Sequence, residues 1–553
     1  MRAPVESARI LSPPMSIATA RSRPASLAAA IVALAFAVLA ASAMLHTSAT
    51  FDEIFFLAVG ARGFHTGDFS IVMDHPRLPQ YLYGLPTYLS GIAYPPEAVL
   101  TYDHYPRYVY SRQLLWGMGN PAETLMMHAR LVAIAFGTAT VAATFAFSRR
   151  HMGALAALGA AVLVAFLPDM LAHAGVAYND IALAFGFLVS LYAIDAAVRA
   201  PTPVRAGLAG LALAFTVCVK YSALILGPIA LTLVILEAAS GRWQDLAWRR
   251  SVAVAMAIAM VVAYVAIVLV YLGDWRLTQF TDGFREFAKG AAGRPAMLLG
   301  ERYTGGRWYF FPVAFFLKTP AALHVLLLLA AVGAWVALRG KPRRDGLAHG
   351  ARAPAAGVAF FLAGLVTADM NIGFRHALPM LAPLCILVAQ GLEPLWNGGR
   401  MAIRAALALV LATFVASTLS SYPYFLAYVS EYVKGRPLYE TLVDSNTDWG
   451  EGLVGLRDFM RERGIPVVAL GYQGSAVPVG YGIRYVPMPS YYTLPALGAG
   501  FLPTRYLVVS ATLLAGLYVP GDPYAKFRNM KPVAVVGGTL YVFDLDDRGG
   551  PGS

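Results

Sequence analysis

Long apolar runs separated by short basic loops restrict the fold of this chain more than any other feature of its sequence. About eleven runs are long enough for membrane-spanning helices, which need about 20 predominantly apolar residues each. With 58% hydrophobic residues, the chain is predicted to be an all-α polytopic membrane protein. The runs lie at 26–46, 124–147, 153–173, 178–198, 206–220, 221–238, 252–272, 315–338, 355–370, 376–392 and 402–421.

Two of these assignments leave alternatives open. The first run follows a basic stretch and could be a signal peptide, since Ala41-Ser42-Ala43 resembles a cleavage site. We interpret it as a membrane helix because it is long enough to span and many more spans follow. The 206–238 region could form one bent helix or two short helices that meet at Lys220.

Arginine and lysine cluster in alternate loops, which predicts the orientation of the chain. With the N-terminus inside, this positive-inside distribution accounts for much of the net charge of +12 without a nucleic-acid partner. An odd number of spans then places the C-terminus outside. The predicted cytoplasmic loops contain Arg149, Arg150, Arg199, Arg205, Arg242, Arg249, Arg250, Arg339, Lys341, Arg343, Arg344, Arg352, Arg400 and Arg404.

Three longer stretches are predicted on the outer face, at 47–123, 273–314 and 422–553. The last one mixes a helical pattern, closed by Gly464 and Pro466, with β-rich runs such as "RYLVVSA" and "LYVFDL". The sequence therefore predicts a transmembrane domain at 1–421 and a small extracytoplasmic α/β domain at 422–553.

Two adjacent acids, Asp52 and Glu53, follow the first span at the predicted membrane edge. A solvated loop pair is the simple alternative, but the apolar segment "IFFLAVG" comes directly after them. Burying an acid there is costly unless it has a function or a cationic partner. Because a carboxylate near the interface can act as a general base toward a hydroxyl, we predict that this pair is catalytic.

Further polar residues lie at the ends of spans and are functional candidates, with structural ion pairs as the alternative. Their cations suit an anionic lipid headgroup, and His75 stands at the start of an aromatic, interfacial segment at 73–89. No spacing of His, Cys, Asp and Glu fits a metal site, so we expect neither a metal nor another cofactor. The predicted substrate-binding residues are His75, Arg130, Asp180, Lys220, Tyr221, Arg375 and His376.

The segment "DSNTDWGEG" at 444–452 begins like a calcium-binding loop. The match then fails, because Trp449 replaces the required glycine and Gly455 stands where a bidentate Glu belongs. A helix start capped by Ser, Asn or Asp is the favoured interpretation.

Several segments, in this order, resemble the bacterial members of glycosyltransferase family 39, the protein O-mannosyltransferase and lipid A aminoarabinose transferase group with the GT-C membrane fold. The resemblance covers residues from about 26 to 460. It rests on Asp52-Glu53 after the first span, then "HPRLPQYLYGLP", "YNDIALAFGFLVSLYA", "VKYSALILGP", "GRWYFFPVAFFLKTP" and "NIGFRHALPML".

The resemblance implies an enzyme of the bacterial plasma (inner) membrane that takes a sugar from a polyprenyl-phosphate donor. Transfer would occur on the extracytoplasmic side, with inversion, to a lipid, glycan or protein acceptor. Asp52 matches the family's catalytic acid and Glu53 its neighbour, while Asp180 and Arg130 match an acid and a basic residue near later spans. The 273–314 loop is too short for the β-trefoil insertion of eukaryotic protein mannosyltransferases, which weakens the case for a protein acceptor.

A transporter or flippase of a lipid-linked sugar is the alternative function. It would share the spans and the headgroup-binding cations. It would not need paired acids beside a large outer loop, or an outer domain such as 422–553, and the chain lacks the inverted repeat common in transporters.

Overall fold

The computed structural model describes residues 23–101, 106–291, 293–339, 341–491 and 504–546, and most of them are helical. Within these ranges, eight helices are long and apolar enough to cross a membrane. They coincide with eight of the predicted spans, so the multi-pass architecture is confirmed. The eight are Pro24–Met44, Ala122–Ser148, Asn179–Arg199, Tyr221–Ala239, Leu246–Val270, Ala321–Arg339, Phe374–Gly398 and Met401–Leu419.

The other three predicted spans fall on broken or shorter apolar helices. Helices Ala154–Ala165 and Pro168–Ala174 meet at 62°, because proline disfavours a helical conformation in the residue before it. Pro203–Val219 and Gly350–Val366, the latter part of the helix Lys341–Val366, are shorter apolar helices of 10–17 residues. The described residues thus hold nine spans if the bent pair counts as one, and the number eleven stays a prediction.

Lys220 separates two helices, which settles the alternative left open at 206–238. Its backbone is extended, with φ −156° and ψ 138°, between Pro203–Val219 and a short 3-10 turn at Tyr221–Ile225. The helix resumes at Leu226–Ala239. Two helices meeting at Lys220 is therefore the confirmed interpretation, and the break lets the Lys220 side chain turn toward a neighbouring helix.

The segment after the first span forms a helix, Glu53–Thr66, that packs directly on a second one, Leu78–Leu89. Two glycines allow the two backbones to touch. A Cβ atom on Gly60 would lie 2.1 Å from the carbonyl oxygen of Gln80, and one on Gly84 only 2.3 Å from the carbonyl carbon of Gly60. This close packing holds the start of the first helix, where Asp52 and Glu53 lie, in a fixed position.

The C-terminal region contains a five-stranded mixed sheet, which follows a separate hairpin of β1 Pro295–Leu298 and β2 Glu301–Thr304. The strands of the sheet are β3 Val468–Gly471, β4 Tyr485–Pro487, β5 Tyr506–Ser510, β6 Ala534–Val536 and β7 Leu540–Asp544. They lie in the order β4-β3-β5-β7-β6, in which β3 is parallel to β4 and β5, whereas β7 is antiparallel to β5 and β6. The two β-rich runs of the sequence become β5 and β7.

The predicted helix in the tail is present at Leu453–Glu462, but the capping prediction is wrong. Its N-cap is Gly452, without a side-chain cap. The acids before it bond elsewhere: Asp448 accepts a hydrogen bond from the Thr512 amide and Glu451 one from the Trp449 amide. The remaining short helices are Pro106–Arg112, Thr278–Ala291, Phe310–Lys318 and Ala511–Leu514.

The three predicted outer stretches meet at one end of the helix bundle, where residues of all three line one cavity. This agrees with their placement on one side of the membrane. The division into domains at residues 421 and 422 stays a prediction.

Orientation can be tested by labelling single introduced cysteines in intact cells. We expect Ser90→Cys and Lys531→Cys to react with a membrane-impermeant maleimide, because both positions are exposed and predicted outside. Gln244→Cys, exposed in a predicted cytoplasmic loop, should react only after permeabilisation. The unsubstituted protein is the control, since its Cys218 and Cys385 are buried. Labelling of Gln244→Cys from outside would reverse the orientation.

Candidate functional site

Asp52 lies just before the helix Glu53–Thr66, where two cavities meet. Its Oδ1 accepts a hydrogen bond of 2.6 Å from the Tyr108 hydroxyl. Its Oδ2 lies 3.6 Å from Nη2 of Arg375, and the side chain remains 18% exposed. Asp52 is therefore a held, partly accessible carboxylate rather than a solvated loop residue.

The first cavity, here called the cationic cavity, lies beside Asp52, and its space of about 590 Å³ includes the open mouth. Four of the predicted substrate-binding residues line this cavity, so the structure brings these four side chains together. They are His75, Lys220, Arg375 and His376.

Asp180 holds the two cations of this cavity side by side. Its Oδ1 lies 2.5 Å from Nζ of Lys220 and its Oδ2 lies 3.1 Å from Nη1 of Arg375. Asp180 itself is 1% exposed and is absent from the cavity wall. The ion pairs expected under the structural alternative thus exist, but their cations also face the cavity.

Two histidines line the cationic cavity: His75 has an uncharged ring, and His376 has a ring nitrogen without a hydrogen-bond partner among the described residues. Burial lowers the pKa of His75 to about 4, so its imidazole is uncharged at neutral pH. His376 places Nδ1 3.4 Å from Nζ of Lys220. Its Nε2 is buried with no hydrogen-bond partner among the described residues, which leaves a polar atom for a ligand to satisfy.

Glu53 and Arg130 lie together away from the cavities. Glu53 is fully buried and accepts two hydrogen bonds from the Arg130 guanidinium, at 2.7 and 2.9 Å. The remaining guanidinium donors bond to the carbonyl oxygens of Met44, Thr47 and Ser48. Arg130 thus does not line the cationic cavity, and its donors bond to Glu53 and to the backbone of residues 44–48 instead.

Tyr221 also lies outside the cationic cavity. Its hydroxyl donates to the carbonyl oxygen of Phe280 at 3.3 Å, and its ring packs on Phe280, Phe284 and Phe287. These phenylalanines belong to the helix Thr278–Ala291, so Tyr221 anchors that helix over the cavity wall.

Several residues around Asp52 were missed in the sequence. Tyr108 binds Asp52, and Arg107 lines both cavities while its Nη1 lies 2.6 Å from Oδ1 of Asp74. Trp449 places its ring 4.4 Å from the Arg375 guanidinium carbon, a cation–π distance. Two features of the sequence could have indicated these residues: the Tyr-rich stretch at 47–123, which contains Arg107 and Tyr108, and the unexplained motif at 444–452, which contains Trp449.

The second cavity, here called the aromatic cavity, lies between Asp52 and the C-terminal region, and its space of about 650 Å³ includes the open mouth. The residues that it shares with the cationic cavity are Asp52, Arg107, Tyr108, Arg294, Ile372 and Arg375. Its own lining includes Phe51, Asp444, Trp449, Gln473, Tyr491 and Tyr518.

The C-terminal region also holds the backbone that leads to Asp52. The Phe51 amide donates to the carbonyl oxygen of Trp449 at 2.7 Å, and the Ser48 amide to that of Glu451 at 2.9 Å. Burial raises the pKa of Glu451 to about 8, so this side chain carries little charge at neutral pH. The 444–452 motif therefore supports the loop that carries Asp52.

Among the described residues, no group of three or more His, Cys, Asp or Glu side chains is placed to hold a metal ion.

No known family model and no curated protein matches the chain. Among solved structures, ArnT from Cupriavidus metallidurans in the apo state aligns over 95% of this chain and 98% of that chain, with 14% identity and a TM-score of 0.50. The same protein bound to undecaprenyl phosphate aligns over 94% and 99%, with 14% identity and a TM-score of 0.47. The apo oligosaccharyltransferase from Archaeoglobus fulgidus aligns over 74% and 57%, with 12% identity and a TM-score of 0.43. At such identities the likeness to ArnT concerns the fold, and the chain has the GT-C fold that the sequence resemblance implied.

Proposed function

We propose that the chain is a membrane glycosyltransferase that moves a sugar from a polyprenyl-phosphate donor to an acceptor hydroxyl on the extracytoplasmic side of a bacterial inner membrane. Asp52 takes the proton of the hydroxyl while its oxygen forms a bond to the anomeric carbon. The bond between that carbon and the phosphate oxygen breaks, and its electron pair leaves with the polyprenyl phosphate. Attack opposite the leaving group inverts the anomeric configuration.

The position of Asp52 at the junction of the two cavities carries this proposal. A general base must reach the proton that it removes, and the acceptor must approach the side of the sugar opposite the phosphate. A donor headgroup in the cationic cavity and an acceptor in the aromatic cavity would meet at this carboxylate. The GT-C fold shared with ArnT supports the same function.

The leaving phosphate needs positive charge but no general acid, since it departs as a stable anion. Lys220 and Arg375 supply fixed cations in the cationic cavity, and Asp180 holds them in place before the donor arrives. Preorganised charges of this kind stabilise charge that develops in the transition state. His75 is uncharged at neutral pH, so it adds no positive charge to the cavity. A neutral imidazole has one donor and one acceptor nitrogen and can form hydrogen bonds with the donor headgroup.

Transfer assays with the purified full-length protein test the proposal. A panel of synthetic undecaprenyl-phosphate hexoses and pentoses would be offered with lipid, glycan and peptide acceptors, and the product's anomeric configuration would be read by NMR. We expect transfer with inversion from at least one donor. Movement of the labelled lipid-linked sugar between leaflets without any transfer would support the transporter alternative instead.

Removing a cation from the cationic cavity should weaken donor binding. Hydrogen bonds to charged groups contribute about 1.5–3 kcal/mol each. We therefore expect Arg375→Ala and Lys220→Ala to lower donor affinity or turnover by roughly ten- to a hundred-fold, at about 1.4 kcal/mol per factor of ten.

Donor affinity can be measured by scintillation proximity with a labelled undecaprenyl-phosphate sugar, beside the melting temperature of each variant. Arg205→Ala, at an exposed position in a predicted cytoplasmic loop, is the matched control. Lower melting temperatures with unchanged affinity and turnover would show that the two cations only hold helices together.

A further inference from the structure

We propose that the aromatic cavity binds a neutral glycan and that a hydroxyl of this glycan is the acceptor. The inference rests on the function proposed above and names the acceptor class of the same site. It concerns the half of the site that the C-terminal region builds.

Half-buried aromatic rings form one continuous wall of the cavity. The Tyr491 ring lies 5.7 Å from Phe51 and 5.7 Å from Tyr518, in edge-to-face contacts at 73° and 88°. Phe51 in turn contacts the Tyr108 ring at 5.5 Å, beside Asp52. Aromatic faces suit the C–H surfaces of sugar rings, and the wall ends at the proposed base. A stacked sugar would thus present a hydroxyl near Asp52.

An unsatisfied amide lies in the same cavity. Gln473 is 6% exposed, and its Oε1 has no hydrogen-bond partner among the described residues. The backbone at Gln473 is held in place, because its backbone N–H donates a hydrogen bond to Oγ of Ser510 at 2.9 Å. A buried polar atom without a partner is costly, and a sugar hydroxyl would satisfy it as a donor.

Three residues of the aromatic cavity lie beyond the carboxyl ends of parallel strands, which is where open α/β sheets bind ligands. Gln473, Tyr491 and Tyr518 follow the carboxyl ends of β3, β4 and β5, the three parallel strands. The chain leaves β3 toward β4 and leaves β5 toward β6, in opposite directions across the sheet. Ligands of open α/β sheets bind in the crevice beyond the strand ends at such a reversal.

The side of the cavity that the C-terminal region builds favours an uncharged acceptor. The described residues that this region contributes to the wall include Asp444 but neither lysine nor arginine. The arginines of the wall, Arg107, Arg294 and Arg375, come from other parts of the chain. Arg107 pairs with Asp74, Arg375 pairs with Asp180 and Asp52, and Nε of Arg294 donates to the carbonyl oxygen of Gly290. A phosphorylated acceptor would meet an acid on this side, whereas a neutral glycan needs only the rings and hydrogen-bonding groups.

Binding of the full-length protein to a glycan array tests the inference without any donor. The fluorescently tagged protein in lipid nanodiscs would be applied to immobilised neutral, phosphorylated and sulfated glycans, whose dense display raises weak affinities. We expect signal on a group of neutral glycans. Gln473→Ala and Tyr491→Ala should each lower this signal by roughly ten-fold through the lost hydrogen bond or ring contact.

Trp308→Ala is the matched aromatic control, because Trp308 is 70% exposed and not part of the cavity wall. Absence of signal on all neutral glycans, signal only on phosphorylated or sulfated ones, or equal binding by the cavity variants would each overturn the inference. Transfer to a lipid or peptide in a protein that ignores neutral glycans would leave the proposed function standing. Glycan binding without any sugar transfer would instead contradict the proposed function, while the inferred glycan-binding site would still stand.

Discussion

Replacing Asp52 by asparagine is expected to lower sugar transfer by roughly 10²–10⁴-fold, the usual contribution of general acid–base catalysis. The amide cannot take the proton of the acceptor hydroxyl, but it still accepts a hydrogen bond, so the contact with the Tyr108 hydroxyl can persist. Donor affinity should stay close to that of the unsubstituted protein, because Lys220 and Arg375 are retained. Initial rates of transfer and donor affinity would be measured on the same preparation.

Glu462→Gln provides the control for this prediction, since it removes an exposed carboxylate of the C-terminal region. It should transfer sugar at the unsubstituted rate. An Asp52→Asn protein with full activity would remove the general base from the proposed mechanism. Unchanged turnover with weaker donor binding would reassign Asp52 to the donor site.

Replacing Arg130 by alanine is expected to destabilise the protein by about 3–5 kcal/mol, the cost of leaving one member of a buried ion pair alone. Glu53 would keep its buried charge and lose both guanidinium hydrogen bonds. Folded protein that survives should bind donor normally, because Arg130 does not line the cationic cavity. The melting temperature and the donor affinity of the purified variant would be compared.

A double variant makes this second prediction sharper. Arg130→Met combined with Glu53→Gln removes both charges and should recover part of the stability lost in either single variant. Weaker donor binding at an unchanged melting temperature would return Arg130 to the donor site, as the sequence first suggested. A double variant no more stable than Arg130→Ala would argue against the buried pair as the cause.

Adjacent acids in the sequence have separate places in the fold. Asp52 and Glu53 lie side by side at the start of one helix, and the sequence could only propose both as catalytic. Consecutive helical positions point about 100° apart, so one carboxylate reaches the cavities while the other enters the core. The choice between them depended on where Arg130 lies, 77 positions later in the chain.

The cationic cavity shows a similar division. Lys220, Arg375 and His376 were predicted from polar residues at span ends, and the structure brings them together. Lys220 and Arg375 share one partner, Asp180, which the sequence proposed as a substrate-binding residue and the structure places behind the two cations. Tyr221 follows Lys220 directly, yet it faces the helix Thr278–Ala291 because the chain changes from extended to 3-10 conformation at this point.

The sequence by itself determined the multi-pass membrane architecture, because the length of an apolar run depends only on contiguous residues, and a long enough run can cross the bilayer as a helix. It also determined the β-rich tail and the set of polar residues at span ends from which the site is drawn. Tertiary structure alone decided the pairing of Glu53 with Arg130, the contact of Tyr108 with Asp52, and the support of the Asp52 loop by residues 444–452. Those contacts join residues 56 to more than 390 positions apart, and no local pattern encodes which distant partner will satisfy a buried charge or amide.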